Sequence, residues 1–248
     1  MKSFVLEKRF LEKYLKTVNR LCDSCVLKIE EDNISSISSS PDNVVILYIK
    51  GKLSDNTNIC DKINIIDIKR LISGLDCLDS DLIEIQINEN YIKCIDKNSG
   101  DNAYFKYHLV DDSVMSKSTY SVKKISQLTF NTEFSIPTQC QRKIMSAYSF
   151  SSDCSKLYLK EDSGSIYAEI NDLTQHNRDS VEIKITNEYI GEPIQAPIPI
   201  NIEVFKMLSY TKDSNLSVKI NKDYNVLIFN IKEDEFLDVK YITSALVK

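Results

Sequence analysis

The chain has no tryptophan, and among its 248 residues there are only five glycines, five prolines and two histidines. Gly51, Gly74, Gly100, Gly164 and Gly191 stand apart from one another, so neither a Walker-type phosphate loop nor a dinucleotide fingerprint can be traced. His108 and His176 lie in different halves, outside any H-E-x-x-H or comparable setting, and read as surface or core residues rather than ligands or proton carriers. Acidic pairs such as Glu30-Glu31 and Asp111-Asp112 fall in expected turns, where solvated charge accounts for them. No enzymatic chemistry, cofactor or metal is expected.

Long hydrophobic runs are missing as well. No apolar stretch approaches the roughly eighteen residues that cross a bilayer, and residues 1–10 alternate charge with hydrophobe instead of forming a signal-type core. The expectation is a protein of the cytoplasm, nucleus or a viral replication site, neither secreted nor membrane-bound. Seven cysteines, an odd number at irregular spacing, do not suit a disulfide framework and read as reduced core fillers. Cys22-Asp23-Ser24-Cys25 is a lone C-x-x-C without the second pair a zinc site needs.

What is present is a repeat and an uneven distribution of charge. The net charge is -5, yet an amphipathic helix expected over 7–22 gathers Arg9, Lys13, Lys16 and Arg20 on one stripe, with Leu11, Leu15, Val18 and Cys22 on another. Strands are expected at 26–29, 34–37 and 44–49, with Pro41-Asp42-Asn43 as a turn. A helix over 65–75 turns Ile68, Leu71, Ile72 and Leu75 inward. A hairpin of 82–87 with 91–95 and a strand at 103–109 complete the unit.

Residues 111–127 are polar and serine-rich and read as a connector between domains 1–110 and 128–248. The order of elements then restarts: a strand at 128–134, a helix over 137–148 with Pro137 at its first position, and strands at 156–160, 165–170 and 181–186. An extended segment near 194–198, a helix over 201–212 capped by Asn201, a hairpin of 216–220 with 226–231 and a strand at 236–241 follow.

Phe4-Val5-Leu6-Glu7 leads into the Leu11-Glu-Lys-Tyr-Leu-Lys-Thr-Val helix, Ile34-Ser-Ser-Ile-Ser-Ser-Ser-Pro follows, and Leu237-Asp-Val-Lys-Tyr-Ile closes the chain. With these segments, the order of elements and the position of the connector, the chain resembles the two-domain DNA polymerase sliding clamps, the group of proliferating-cell nuclear antigen and the tailed-phage clamps. The resemblance implies an α+β fold of two repeated clamp domains, each with antiparallel β-sheets and two α-helices lining one face. It also implies a ring of six domains, hence a homotrimer, that encircles double-stranded DNA without reading its sequence. Such a ring serves as a processivity factor, tethering DNA polymerase and other replication proteins, and is loaded by a clamp loader.

By that resemblance Arg9, Lys13, Lys16, Arg20, Lys69, Arg70, Arg142, Lys143, Lys206 and Lys212 face DNA. A partner-peptide pocket draws on Ile37, Ile46, Val122, Ile125, Tyr241 and Ile242, and the subunit interface on Tyr104, Lys106, His108, Val181, Ile183 and Ile185. The abundance of Ile, Asn, Lys, Asp and Ser is that of an AT-rich genome, of which large viruses and phages are one source. Two other readings stand beside the homotrimer. One is a clamp-fold module acting in a heteromeric ring or as a viral late-transcription factor without self-trimerisation; the other is an unrelated two-domain β-rich protein.

Overall fold

The computed structural model describes residues 2–53, 59–97, 103–115, 125, 127–151, 154–171, 179–208, 215–232 and 236–246. The chain divides into two compact units. One comprises Met1–Asn43, Leu47–Tyr120 and Phe236–Asp238, the other Val44–Ile46, Ser121–Glu235 and Val239–Lys248.

The first unit carries strand β1 (Lys2–Glu7), helix α1 (Lys8–Asn19), strands β2 (Cys25–Glu31), β3 (Asn33–Ser39), most of β4 (Val45–Lys52) and β5 (Ile59–Ile65), helix α2 (Ile68–Leu75), and strands β6 (Leu82–Ile87), β7 (Tyr91–Asp96) and β8 (Tyr104–His108). Two sheet segments form, in the orders β1-β6-β7-β8 and β4-β3-β2-β5. Period-2 patterning makes them. In β1, Phe4 and Leu6 are buried and their neighbours are not; in β7, Ile92, Cys94 and Asp96 point in. Helix α1 closes the space over this core with Leu11, Tyr14, Leu15 and Val18, all buried.

Two side chains fix the ends of α2. Asp67, in extended conformation before the helix, accepts the Arg70 backbone N–H at 2.9 Å. Beyond the helix, the buried carboxylate of Asp96 accepts the N–H groups of Asp79 and Ser80 at 3.0 and 3.1 Å and pins the loop that leads into β6.

The second unit repeats the plan. It contains β9 (Thr132–Ile136), α3 (Thr138–Phe150), β10 (Lys156–Asp162), β11 (Ser165–Ile170), β12 (Val181–Thr186), β13 (Tyr189–Gly191), β14 (Ile198–Asn201), α4 (Glu203–Leu208), β15 (Asn215–Asn221), β16 (Val226–Lys232) and most of β17 (Leu237–Ser244). The run β9-β15-β16-β17 matches β1-β6-β7-β8, with the short β13 added outside β9, and β12-β11-β10-β14 matches β4-β3-β2-β5. Gly191 is required where β13 meets β9. Its φ is +98°, and a Cβ there would stand 2.0 Å from the Asn131 carbonyl oxygen.

Both units are therefore mostly antiparallel sheet, with four helices among the described residues. Several boundaries differ from expectation: β9 starts at Thr132 rather than 128, α1 ends at Asn19 rather than 22, and β5 and β13 have no counterpart in the sequence reading. The α2 region starts at Ile68 rather than 65, because Ile59–Ile65 is a strand laddered to β2. Pro137 precedes α3 with φ -60° and ψ 146° instead of opening it. The helix expected over 201–212 is α4 at Glu203–Leu208; residues 209–214 lie outside the described residues. No described helix is long and apolar enough to cross a membrane.

Candidate nucleic-acid interface

In each unit the two helices pack on each other, α1 against α2 and α3 against α4. Burying one face of each helix forces its polar face outward, so the charge of those faces becomes the charge of a continuous surface. On α1, Arg9 and Lys16 are exposed and Lys13 is half-buried; Arg20, half-buried, caps its C-terminal end, where a cation opposes the helix dipole. Lys69 and Arg70 are exposed at the start of α2.

Some of these cations are already engaged. Lys16 pairs with Glu12 one turn earlier at 3.0 Å, and Lys69 pairs with Asp23 at 3.2 Å. The second pair accompanies a backbone bond from Ile68 N–H to the Asp23 carbonyl, 2.9 Å, which ties the start of α2 to the loop after α1. Exposed pairs of this kind hold a charge loosely and release it to a stronger counterion. Arg9 and Arg70 make no ion pair among the described residues.

In the second unit, Arg142 and Lys143 are exposed on α3 and likewise make no ion pair among the described residues. Lys206 on α4 is engaged. Its ammonium lies 2.5 Å from Glu203 and 4.3 Å from the centre of the Tyr148 ring, and the hydrogen bond to Glu203 holds its pKa above the ordinary lysine value. Asn201 accepts the Glu203 N–H at 2.9 Å, as its expected capping role requires, although α4 starts two residues after it. Lys212 lies outside the described residues.

Two of the expected interface strands are terminal in their sheets: β8 ends β1-β6-β7-β8 and β12 ends β12-β11-β10-β14. A terminal strand presents a row of backbone donors and acceptors along its outer side. On β8, Tyr104, Lys106 and His108 alternate outward, with Lys106 4.9 Å from the Tyr91 ring and Lys93 4.1 Å from the Tyr104 ring. On β12, Ile183 and Ile185 are buried, Val181 is half-buried, and Glu182 and Lys184 are exposed. Glu182 and Glu169 both bind Lys160, at 2.5 and 2.6 Å, so the outer surface behind β12 is a charged network.

Of the expected peptide-pocket residues, Ile37 on β3 and Ile125 are half-buried, while Ile46, Tyr241 and Ile242 are buried. Val122 lies outside the described residues. Burial pushes up the thiols of Cys22 and Cys25, so this pair stays protonated near neutral pH. Sequence reasoning misses Glu12, Asp23 and Glu203 as partners of the helix cations. The spacings of Glu12 to Lys16 and Glu203 to Lys206 are readable; that of Asp23 to Lys69 is not, since it depends on how α2 returns to the end of α1.

No family model and no curated protein sequence matches the chain. Solved structures do. A structure of A. fulgidus PCNA bound by the C-terminal region of FEN-1 superposes with a TM-score of 0.79 at 15% identity, covering 100% of this chain and 99% of that one. PCNA from Thermococcus kodakaraensis gives 0.75 at 15% identity, over 98% and 99% of the two chains. The PCNA2–PCNA3 complex of Sulfolobus tokodaii gives 0.73 at 13% identity, over 98% of each. The chain thus has the PCNA-type clamp fold, two clamp domains in one polypeptide.

Proposed function

We propose that this chain is the subunit of a homotrimeric DNA sliding clamp, a non-enzymatic processivity factor that encircles duplex DNA and tethers DNA polymerase and other replication proteins. The observation that carries the reading is the recurrence of outward cations on the paired helices of both units: Arg9 and Arg70 in the first, Arg142 and Lys143 in the second. An acidic chain with net charge -5 that still places arginine and lysine at these positions is suited to keep an anion near these helix faces and away from the rest of each unit.

Duplex DNA presents one negative charge per roughly 1.7 Å of axis, so cations spread over several helices attract it at every position without fixing a register. That is the energetic condition for sliding. Closure follows from the terminal strands. β8 of one subunit adding to β12 of the next is a head-to-tail pairing, which makes a ring when the rotation closes, and it consumes both unpaired edges. Two repeats per chain then call for three chains to supply six domains. A closed ring has to be opened to admit DNA, which is the task of a loader.

The test is topological. On nicked circular DNA loaded with the protein, the reading expects retention through gel filtration in high salt and release once the circle is linearised. Equal retention on circles and linear DNA means simple adhesion and overturns it.

A further inference from the structure

The β1-β6-β7-β8 sheet of the first unit turns its inner face to α2: Phe105 lies against Gly74, and the buried Tyr107 accepts the Asp67 N–H at 2.9 Å. Alternation along the strands sends Tyr104, Lys106 and His108 of β8, with Tyr91, Lys93 and Ile95 of β7, to the opposite side, away from the helix. There Lys93 and Lys106 are Cα partners, and like charges directly opposed weaken a sheet. Each ammonium lies over a diagonal ring instead, Lys93 4.1 Å from the centre of Tyr104 and Lys106 4.9 Å from that of Tyr91. The His108 ring stands 6.1 Å from Tyr91.

Neither lysine makes an ion pair among the described residues. Glu84, facing the same way on β6, is matched by the ammonium of Lys97 at 3.2 Å. The patch is thus an exception to the acidic remainder of the chain, two uncompensated cations alternating with two tyrosines, of which Tyr104 is 55% exposed. An acidic peptide engages the ammonium groups alone and leaves the rings without a task. A single-stranded nucleic acid uses both, its phosphates on the lysines and its base faces on the rings, and it does so in any sequence because every base has such a face.

We propose that this outer face of β7 and β8 binds single-stranded nucleic acid without regard to sequence, with bases stacked on Tyr104 and Tyr91 and phosphates held by Lys93 and Lys106. Cation–ring contacts at exposed positions are weak, so a phosphate draws the ammonium off the ring and frees the ring for a base. The site is separate from the helix cations assigned to duplex DNA, and it goes beyond the ring reading without depending on it. A strand added at the edge of β8 takes up backbone groups and leaves these side chains uncovered.

The probe is a fluorescein-labelled oligothymidylate of twelve residues, titrated by anisotropy on the full chain. The variants lie on β7, one strand in from the edge. Tyr91→Leu is expected to weaken binding about fivefold or more, while Tyr91→Phe, which keeps the ring, holds it within about twofold. Lys93→Gln makes the log–log salt slope shallower by about 0.7, the loss of one phosphate contact on a single strand. A readout that needs no variant is photocrosslinking: 5-iodouracil placed in the oligonucleotide is expected to attach to the peptides that carry Tyr91 or Tyr104. Absence of binding, undiminished binding by Tyr91→Leu, or crosslinks confined to the four helices overturns the inference. So does displacement of the oligonucleotide by polyglutamate of equal charge as readily as by its unlabelled self, which marks a surface that reads charge alone, as an acidic peptide would. A native mass that falls in Tyr91→Leu at unchanged Tm assigns the face to the subunit contact and overturns it too. Failure to retain nicked circles leaves all these outcomes as they are and counts against the ring reading only.

Discussion

Lys206 holds its ammonium 2.5 Å from the carboxylate of Glu203, three residues earlier on α4. The pair lies on the helix face from which the second unit would address DNA, so one of its cations is internally offset. Freed, it adds to the field of Arg142 and Lys143; those two, being unpaired among the described residues, carry the field now.

Glu203→Gln is therefore expected to tighten binding to linear duplex, and Arg142→Ala/Lys143→Ala to weaken it. The log–log salt slope measured by anisotropy between 50 and 200 mM salt becomes shallower by about 0.9 for each phosphate the variant no longer neutralises. If the double alanine variant leaves the slope as it was, α3 does not face DNA.

Phe105 on β8 lies against Gly74 of α2, where an added Cβ would come 2.7 Å from the ring. Alanine gains up to about 1 kcal/mol of helix propensity over glycine, yet here it has to displace an aromatic ring on the terminal strand proposed to join the subunits. Gly74→Ala is expected to keep the circular dichroism of the parent while its native mass falls at micromolar concentration, and Gly74→Ala/Phe105→Leu to recover the mass. Unchanged assembly in Gly74→Ala would show that β8 is not part of the subunit interface.

Asp96→Ala removes the acceptor of two loop N–H groups, Asp79 and Ser80. The Ser80 N–H is left without a partner in a buried position, while that of exposed Asp79 can turn to water, so the loss is roughly 1–3 kcal/mol. Urea unfolding reports this as a lower midpoint at unchanged slope; a loss under roughly 0.5 kcal/mol would mean that water replaces the carboxylate.

Burial pushes the Tyr14 hydroxyl well above 10.0, and hydrogen bonds from Lys160 to Glu169 and Glu182 raise that ammonium too. Both folded values exceed the unfolded ones, so the stability they lend is fully present below the unfolded values, near 10, and is lost as pH rises through the folded values. Glu84 has the opposite sign: a hydrogen bond from Gln86, assisted by Lys97, lowers its pKa below 4.5, and its contribution is lost as pH falls through that lowered value. Melts should show a plateau between about pH 5 and 9. Tyr14→Phe is expected to lose less Tm between pH 7 and 10.5 than the parent; an identical alkaline loss would exonerate Tyr14.

Much of the fold can be read from local pattern. The strands at 82–87, 165–170 and 181–186 agree with the structure to the residue, because alternating burial and flanking turn residues mark both ends. β5 is not legible in this way: Cys60-Asp61-Lys62 breaks the alternation, and its pairing with β2, whose partners are distant in the sequence, supplies what the local pattern lacks. Three-residue β13 carries no periodic signal at all; it exists because Gly191 lets the chain turn against Asn131. For the candidate site, the cations on α1 are legible from their spacing, whereas the opposition of Lys93 and Lys106 depends on the register of β7 against β8. The duplication itself is visible in the sequence only as an order of elements, and becomes a physical statement once the sheet orders of the two units coincide.

Closure of the ring is measured most directly by the native mass, from size-exclusion chromatography with light scattering at micromolar protein. A closed homotrimer gives about three times the 28.4 kDa of one chain. A mass of one chain would contradict self-closure through β8 and β12 and leave a ring built with a different partner chain.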